Sequence, residues 1–239
     1  MNNDHKTYVF YYTGLSEDER KVYMQLLKGL QEHVIKCTVD SICTSNQIGT
    51  IIECIRFENP IIGYFNTYTL YSIGKMVCAV EFNYHLTKEK QAEINTAMIE
   101  QAAKIVAYAR SKGTEHRKQV RAVHEYLVRW EYDHDFNSSS FSPAGVLLYG
   151  KSVCMGVALA YKLILDMLQI PSICVSGEHD GEGHAWNLIY YNGEWHFHDA
   201  TFDLCQSNKW KISYKSFEKT SEPKKYKAWE MFPLPKQKG

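Results

Sequence analysis

The sequence predicts an α+β fold, and two observations carry that expectation. Apolar residues recur at helical spacing in four separate stretches, and runs of β-branched and aromatic residues bounded by turn formers fill the spaces around them. The last two strand-like runs are joined by Asn192 and Gly193, the signature of a two-residue hairpin turn.

Taken in order, Ser16 with Glu19 reads as a capping box, and Val22, Leu26, Leu27, Leu30 and Val34 carry a helix to about Ile35. Residues 48 to 57 and 68 to 82 read as strands, separated by "ENP" and several glycines, so residues 1–86 are expected to form an N-terminal α/β accessory region. Thr87 can cap a helix bearing Ile94, Met98, Ala102, Ile105 and Ala109 that stops at Gly113. Thr114 can cap the next, through Val120, Val123, Leu127 and Trp130. The polar "YDHDFNSSSFSPAG" reads as a loop ending in Ser142 and Pro143, a cap and a first helical residue. Ser152 then caps a helix with Val153, Val157, Tyr161, Ile164, Leu165 and Leu168 on one face, ended by Pro171. Strand-like runs follow at 172 to 177, 185 to 191 and 194 to 200. Residues 87–217 are the expected core, and the Lys- and Pro-containing stretch 218–239 is expected to be peripheral.

With 239 residues, 45% hydrophobic and 23% charged, the chain can bury a sizeable core. Lys plus Arg and Asp plus Glu stand at 27 each, which gives no reason to expect a nucleic-acid or membrane partner. The N-terminus has neither a basic n-region nor an uninterrupted apolar h-region, so the expectation is a cytoplasmic protein as given, or a secreted one if a leader was removed. Nothing in the sequence bears on oligomeric state. Seven scattered cysteines without a CxxC pair fit reduced thiols.

Cys154 falls in the first turn of its helix, where unpaired backbone N–H groups and the positive end of the helix dipole favour a thiolate and can bind an oxyanion. The plainer alternative is a small buried hydrophobe. In "EGHAWNLIYYNGEWHFHDATFD" the hairpin turn pairs Tyr191 with Glu194, and counting back sets Trp186 opposite Asp199 and His184 opposite Thr201. His184 and Asp199 become diagonal neighbours on a face shared with Trp186, Leu188, Tyr190, Trp195 and Phe197, the expected buried face. A mutually satisfied structural pair is one reading of these two. With Cys154 in reach they form a nucleophile, a base and an orienting acid. By the same parity His196 and His198 share the opposite face with Asn187, Ile189 and Tyr191 and are expected at the surface, with no metal bound. His124 reads as an ordinary helical histidine. Trp186, Tyr149 and Trp130 are available as aromatic walls for substrate, Trp186 more simply as a lid over the His184–Asp199 hydrogen bond.

"GKSVCMGVALAY", "HAWNLIYYNGEW" and "HDATFD" resemble the cysteine, histidine and aspartate motifs of the transglutaminase-like superfamily, and "VHEYLVRWEYD" resembles the helix and Tyr-Asp ahead of the cysteine in its bacterial members. The resemblance spans about residues 120 to 205. It implies a papain-like transglutaminase core with Cys154 as nucleophile, His184 as general base and acid, and Asp199 as its orienter. Met155 stands where many bacterial members carry a polar residue. The implied activity is cofactor-free acyl transfer on a protein or peptide substrate, with a cysteine peptidase or amidohydrolase favoured. A transglutaminase or deamidase, and a non-catalytic binding module on the same fold, are the alternatives.

Overall fold

The computed structural model describes residues 9–62, 65–206, 211–221, 223–229 and 234–235. The described chain is α+β and divides into two compact units, Val9–Glu93 and Ile94–Gly239.

In the first unit, after the short α1 (Tyr11–Gly14), α2 (Glu17–Glu32) begins at the expected capping box of Ser16 and Glu19. Next come β1 (Lys36–Thr38) and α3 (Ser45–Glu58). The latter corrects the strand expected at 48 to 57. Thr44 and Gln47 form a second capping box, and Ile48, Ile51, Ile52 and Ile55 are all buried at the 3,4 spacing of one helix face. That periodicity outweighs the weak β preference of the isoleucines. The run at 68 to 82 is a hairpin, β2 (Phe65–Ile73) and β3 (Met76–Tyr84), in an antiparallel sheet of order β1-β3-β2.

The unit boundary falls within α4 (Lys88–Ser111), whose first turn is capped by Thr87, with the Lys90 N–H donating to Thr87 Oγ1 at 3.3 Å. In α5 (His116–Leu127) the N-cap is Glu115, not Thr114, and makes no side-chain cap bond. A parallel two-residue pairing of β4 (Glu131–Tyr132) with β5 (Lys151–Ser152) encloses the serine-rich loop, which holds a 3-10 turn at Ser138–Phe141 and a π-helical turn at Gly145–Tyr149. Then α6 (Cys154–Met167) leads into β6 (Ser172–His179), β7 (Glu182–Tyr191) and β8 (Glu194–His198). A short α7 (Ala200–Gln206) follows. Buried Val157, Tyr161, Ile164 and Leu165 of α6 each contribute about 1.5–3 kcal/mol of hydrophobic stabilisation. The helix ends in a Schellman motif, with the Ile170 N–H donating to Leu165 and the Gln169 N–H to Asp166.

The main sheet is antiparallel in the order β8-β7-β6-β9, where β9 (Tyr226–Ala228) comes from the stretch expected to be peripheral. Gly177 admits it: a Cβ there would run into the Lys227 carbonyl and the Trp186 ring. The hairpin register at Tyr191 and Glu194 is as expected, but the β7–β8 ladder stops at Asn187 and His198. Trp186 therefore has no strand partner at Asp199, nor His184 at Thr201. Both sheet faces are covered. Asn187, Ile189, Tyr191, His196 and His198 are buried, correcting the expectation that the two histidines lie at the surface. Asn187 Nδ2 donates to the Ala158 carbonyl of α6 at 3.0 Å, and Phe217 packs edge-on to His198. On the other face Trp186, Leu188 and Phe197 are buried, while Tyr190, at the turn end, is exposed.

Candidate active site

Cys154 is the first residue of α6. The N-cap is Val153, not Ser152, and makes no side-chain cap bond, so the cap leaves the N–H groups of the first turn open. Ser152 instead donates to the Ser140 carbonyl at 2.9 Å and ties the serine-rich loop under the start of the helix. Asp133 holds that loop from the other side. It accepts from the N–H groups of Asp135 and Asn137, from Asn137 Nδ2 and from the Ser140 hydroxyl, and these donors lower its pKa to about 2, the Ser140 bond most. Gly156 allows the approach, since a Cβ there would overlap the Ser140 carbonyl and Ser152 Oγ.

Because β8 stops at His198, the first residues of β7 run on past it, and His184 sits on this overhang. Its Nε2 lies 2.6 Å from Asp199 Oδ2, which leaves Nδ1 as the other ring nitrogen, and the Cys154 side chain is close enough to act on the ring. The side chain is 15% exposed. Burial disfavours the imidazolium, but hydrogen bonds to Asp199 and Cys154 and the charge of Asp199 overcome it and raise the His184 pKa to about 10. Asp199 is not on a strand as expected. It starts α7, with Oδ1 accepting the Phe202 N–H at 2.8 Å in an N-cap bond, and from there still reaches the histidine.

The three residues singled out in the sequence are thus brought together. Trp186 stacks beside His184, with ring centroids 6.1 Å apart and planes at 25°, but is only 1% exposed. It covers the pair from one side. Tyr149 is 54% exposed at the end of the π-helical turn, and Trp130 packs on Tyr126. Tyr226 was missed. Its hydroxyl donates to Asp199 Oδ2 at 2.7 Å. No local signal marks it, because its place depends on β9 joining β6, 27 residues beyond Asp199. His124 is fully buried, with Nε2 3.1 Å from Asp203 Oδ2, and is separate from the triad. Among the described residues no group of three or more His, Cys, Asp or Glu is disposed to hold a metal ion, and no helix is long and apolar enough to cross a membrane.

Residues 96–200 match the family model of the Transglutaminase-like superfamily. Among solved structures, one described as a TGase crystal structure is 18% identical, with a TM-score of 0.43, over 75% of this chain and 53% of its own. A Cytophaga hutchinsonii protein named as a candidate cysteine protease is 16% identical, with a TM-score of 0.35, over 56% of this chain and 61% of its own. The chain therefore spans little more than half the length of these neighbours. No curated protein matches the sequence. Cys154, His184 and Asp199 all fall inside this match, so residues 96–200 carry a Transglutaminase-like family-model domain.

Proposed function

We propose that the protein is a cysteine-dependent acyl-transfer enzyme that hydrolyses amide bonds in protein or peptide substrates. The observation that carries this reading is the 2.6 Å contact of His184 with Asp199, with Cys154 at the start of α6 close enough to act on the ring. With the proton on His184, the Cys154 thiolate adds to the amide carbonyl, and the oxyanion meets the N–H groups of the first turn of α6. Collapse of the adduct breaks the C–N bond, and His184 delivers its proton to the leaving amine. The neutral imidazole then takes a proton from water as its oxygen attacks the thioester, releasing the acid and restoring the thiolate–imidazolium pair. Asp199 holds the ring and balances its charge.

Water is the favoured acceptor for a physical reason. An amine competes only where a channel holds it unprotonated and excludes water. Trp186, the aromatic side chain nearest His184 on the same strand, is packed away from solvent, which supports the water reading. The test is to incubate wild type and Cys154→Ala with a protein mixture and a tagged primary amine, and to follow tag incorporation and new peptide termini by mass spectrometry. New termini from wild type alone are expected. Tagged glutamines without new termini would replace hydrolysis by transamidation, glutamine-to-glutamate conversion would indicate deamidation, and no change of any kind would favour a binding module.

A further inference from the structure

We propose that Tyr226, on the strand added after the family-matched core, is a positioning residue that fixes the Asp199 carboxylate against His184. The proposal rests on the thiol-enzyme reading of Cys154. A carboxylate turns about its Cβ–Cγ bond unless both oxygens are held. In Asp199 the Phe202 N–H of α7 holds Oδ1 at 2.8 Å, and the Tyr226 hydroxyl of β9 holds Oδ2 at 2.7 Å, the oxygen that faces His184 Nε2. The Ser216 side chain is close enough to the phenol to ease its ionisation and so to strengthen it as a donor. Burial, then the Asp199 charge, push the Tyr226 pKa up, so the phenol remains a donor at every working pH.

The ring is held as firmly as the hydroxyl. Its centroid lies 4.5 Å from that of His179, 4.8 Å from Phe197 and 5.2 Å from Trp186. The strand is fixed by pairing of Gly177 with Ala228, Glu178 with Lys227 and His179 with Tyr226, and by the Trp229 N–H donating to Ser176 at 2.9 Å. Ser216 and Tyr226 both lie past residue 200, where the family match ends. This site is therefore completed by the chain's own C-terminal segment.

The expected signature is a change in proton affinity as well as in rate. The titratable groups facing the His184–Asp199 pair are Cys154 from α6, His179 from β6 and Tyr226 from β9, while Asp203 of α7 acts on Tyr226. By donating to Oδ2, Tyr226 draws carboxylate charge away from the imidazolium. Without the hydroxyl, the imidazolium is held more strongly. The thiolate–imidazolium pair then forms at lower pH, and the proton passes less readily to a leaving amine.

The experiment measures the rate of iodoacetamide alkylation at Cys154 against pH, mapped by peptide mass spectrometry, with kcat and KM for amide cleavage, in wild type, Tyr226→Phe and Tyr226→Leu. Tyr226→Phe should melt close to wild type and move the acid midpoint of Cys154 alkylation to lower pH. Its kcat should fall about 10- to 100-fold at unchanged KM, the usual weight of a hydrogen bond to a charged group. Tyr226→Leu should add a loss of thermal stability. If Tyr226→Phe does not fold, Ser216→Ala, which weakens the phenol as a donor, should shift the midpoint in the same direction. A Tyr226→Phe enzyme with the wild-type midpoint and kcat would make Tyr226 a packing residue and overturn the proposal. A wild-type Cys154 that alkylates no faster than the other thiols would instead overturn the thiol-enzyme reading beneath it. Where no amide substrate is cleaved, the alkylation midpoint alone decides for or against Tyr226.

Discussion

At the residue scale the account turns on how three side chains divide the work of moving one proton. Asp199→Asn keeps the N-cap of α7, because asparagine caps as well as aspartate, but presents an amide to His184 and favours the wrong tautomer. Turnover should fall by a factor on the order of 10⁴, the effect of that change in a serine-protease triad, with an unaltered far-UV spectrum. Full activity in this variant would make the His184–Asp199 contact structural. The pH dependence follows from His184. Its pKa is raised to about 10 from an ordinary value of 6.5, so the imidazolium needed to protonate the leaving group persists through neutral pH and is lost as pH rises through about 10. The alkaline limb of kcat/KM should lie there. A limb near 6.5 would mean that Asp199 and Cys154 do not hold the proton on His184.

At the element scale, the start of α6 is where local sequence and tertiary contact meet. Gly156→Ala places a methyl group against the Ser140 carbonyl and must push the loop or the helix start aside. Overpacking of this kind costs about 1–3 kcal/mol, and a displaced Cys154 should lose activity out of proportion to the fall in melting temperature. Retained activity would show that the loop yields freely. Much of this element was legible in the sequence: the apolar face of α6, the cysteine in its first turn and the hairpin register at Asn192 and Gly193. Elements fixed by distant partners were not. Residues 48 to 57 resemble a strand in their isoleucine composition, and only the 3,4 spacing of the isoleucines marks the helix. Asp199 looked like a strand residue because nothing local announces that it caps α7. Tyr226 was invisible, since only the pairing of β9 with β6 brings it to Asp199. Parity correctly separated His196 and His198 from His184 but not inside from outside, because a sheet covered on both faces carries no alternation.

At the scale of the whole molecule, the sheet buries polar groups on the face away from the triad as well. Behind the sheet, His198 is wholly buried beside Tyr191, whose hydroxyl is 3.1 Å from His198 Nε2, and burial, with His124 and His196 nearby, holds the His198 pKa well below its ordinary value. Its folded pKa is depressed, so its contribution to stability is complete above about 6.5, the unfolded value, and falls away as pH drops below it. Thermal stability should decline from about pH 6.5 downward, before the carboxylates titrate. A melting temperature flat from pH 7 to 5 would contradict the neutral buried histidine. Replacing His196 and His198 together by Gln should lower the melting temperature, since both are buried, an outcome the surface placement did not anticipate. The central claim, that Cys154 is an activated nucleophile, is tested most directly by treating the native protein with sub-stoichiometric iodoacetamide near neutral pH and mapping the adduct. Burial raises the pKa values of Cys37, Cys43, Cys54 and Cys174, the last to about 12, whereas Cys154 lies beside His184 at a helix start whose N-cap makes no side-chain bond. The side chain of Cys205 lies outside the described residues. The account predicts that the label collects on Cys154 and that His184→Ala abolishes the preference. Preferential labelling of any other cysteine in the native protein would contradict it.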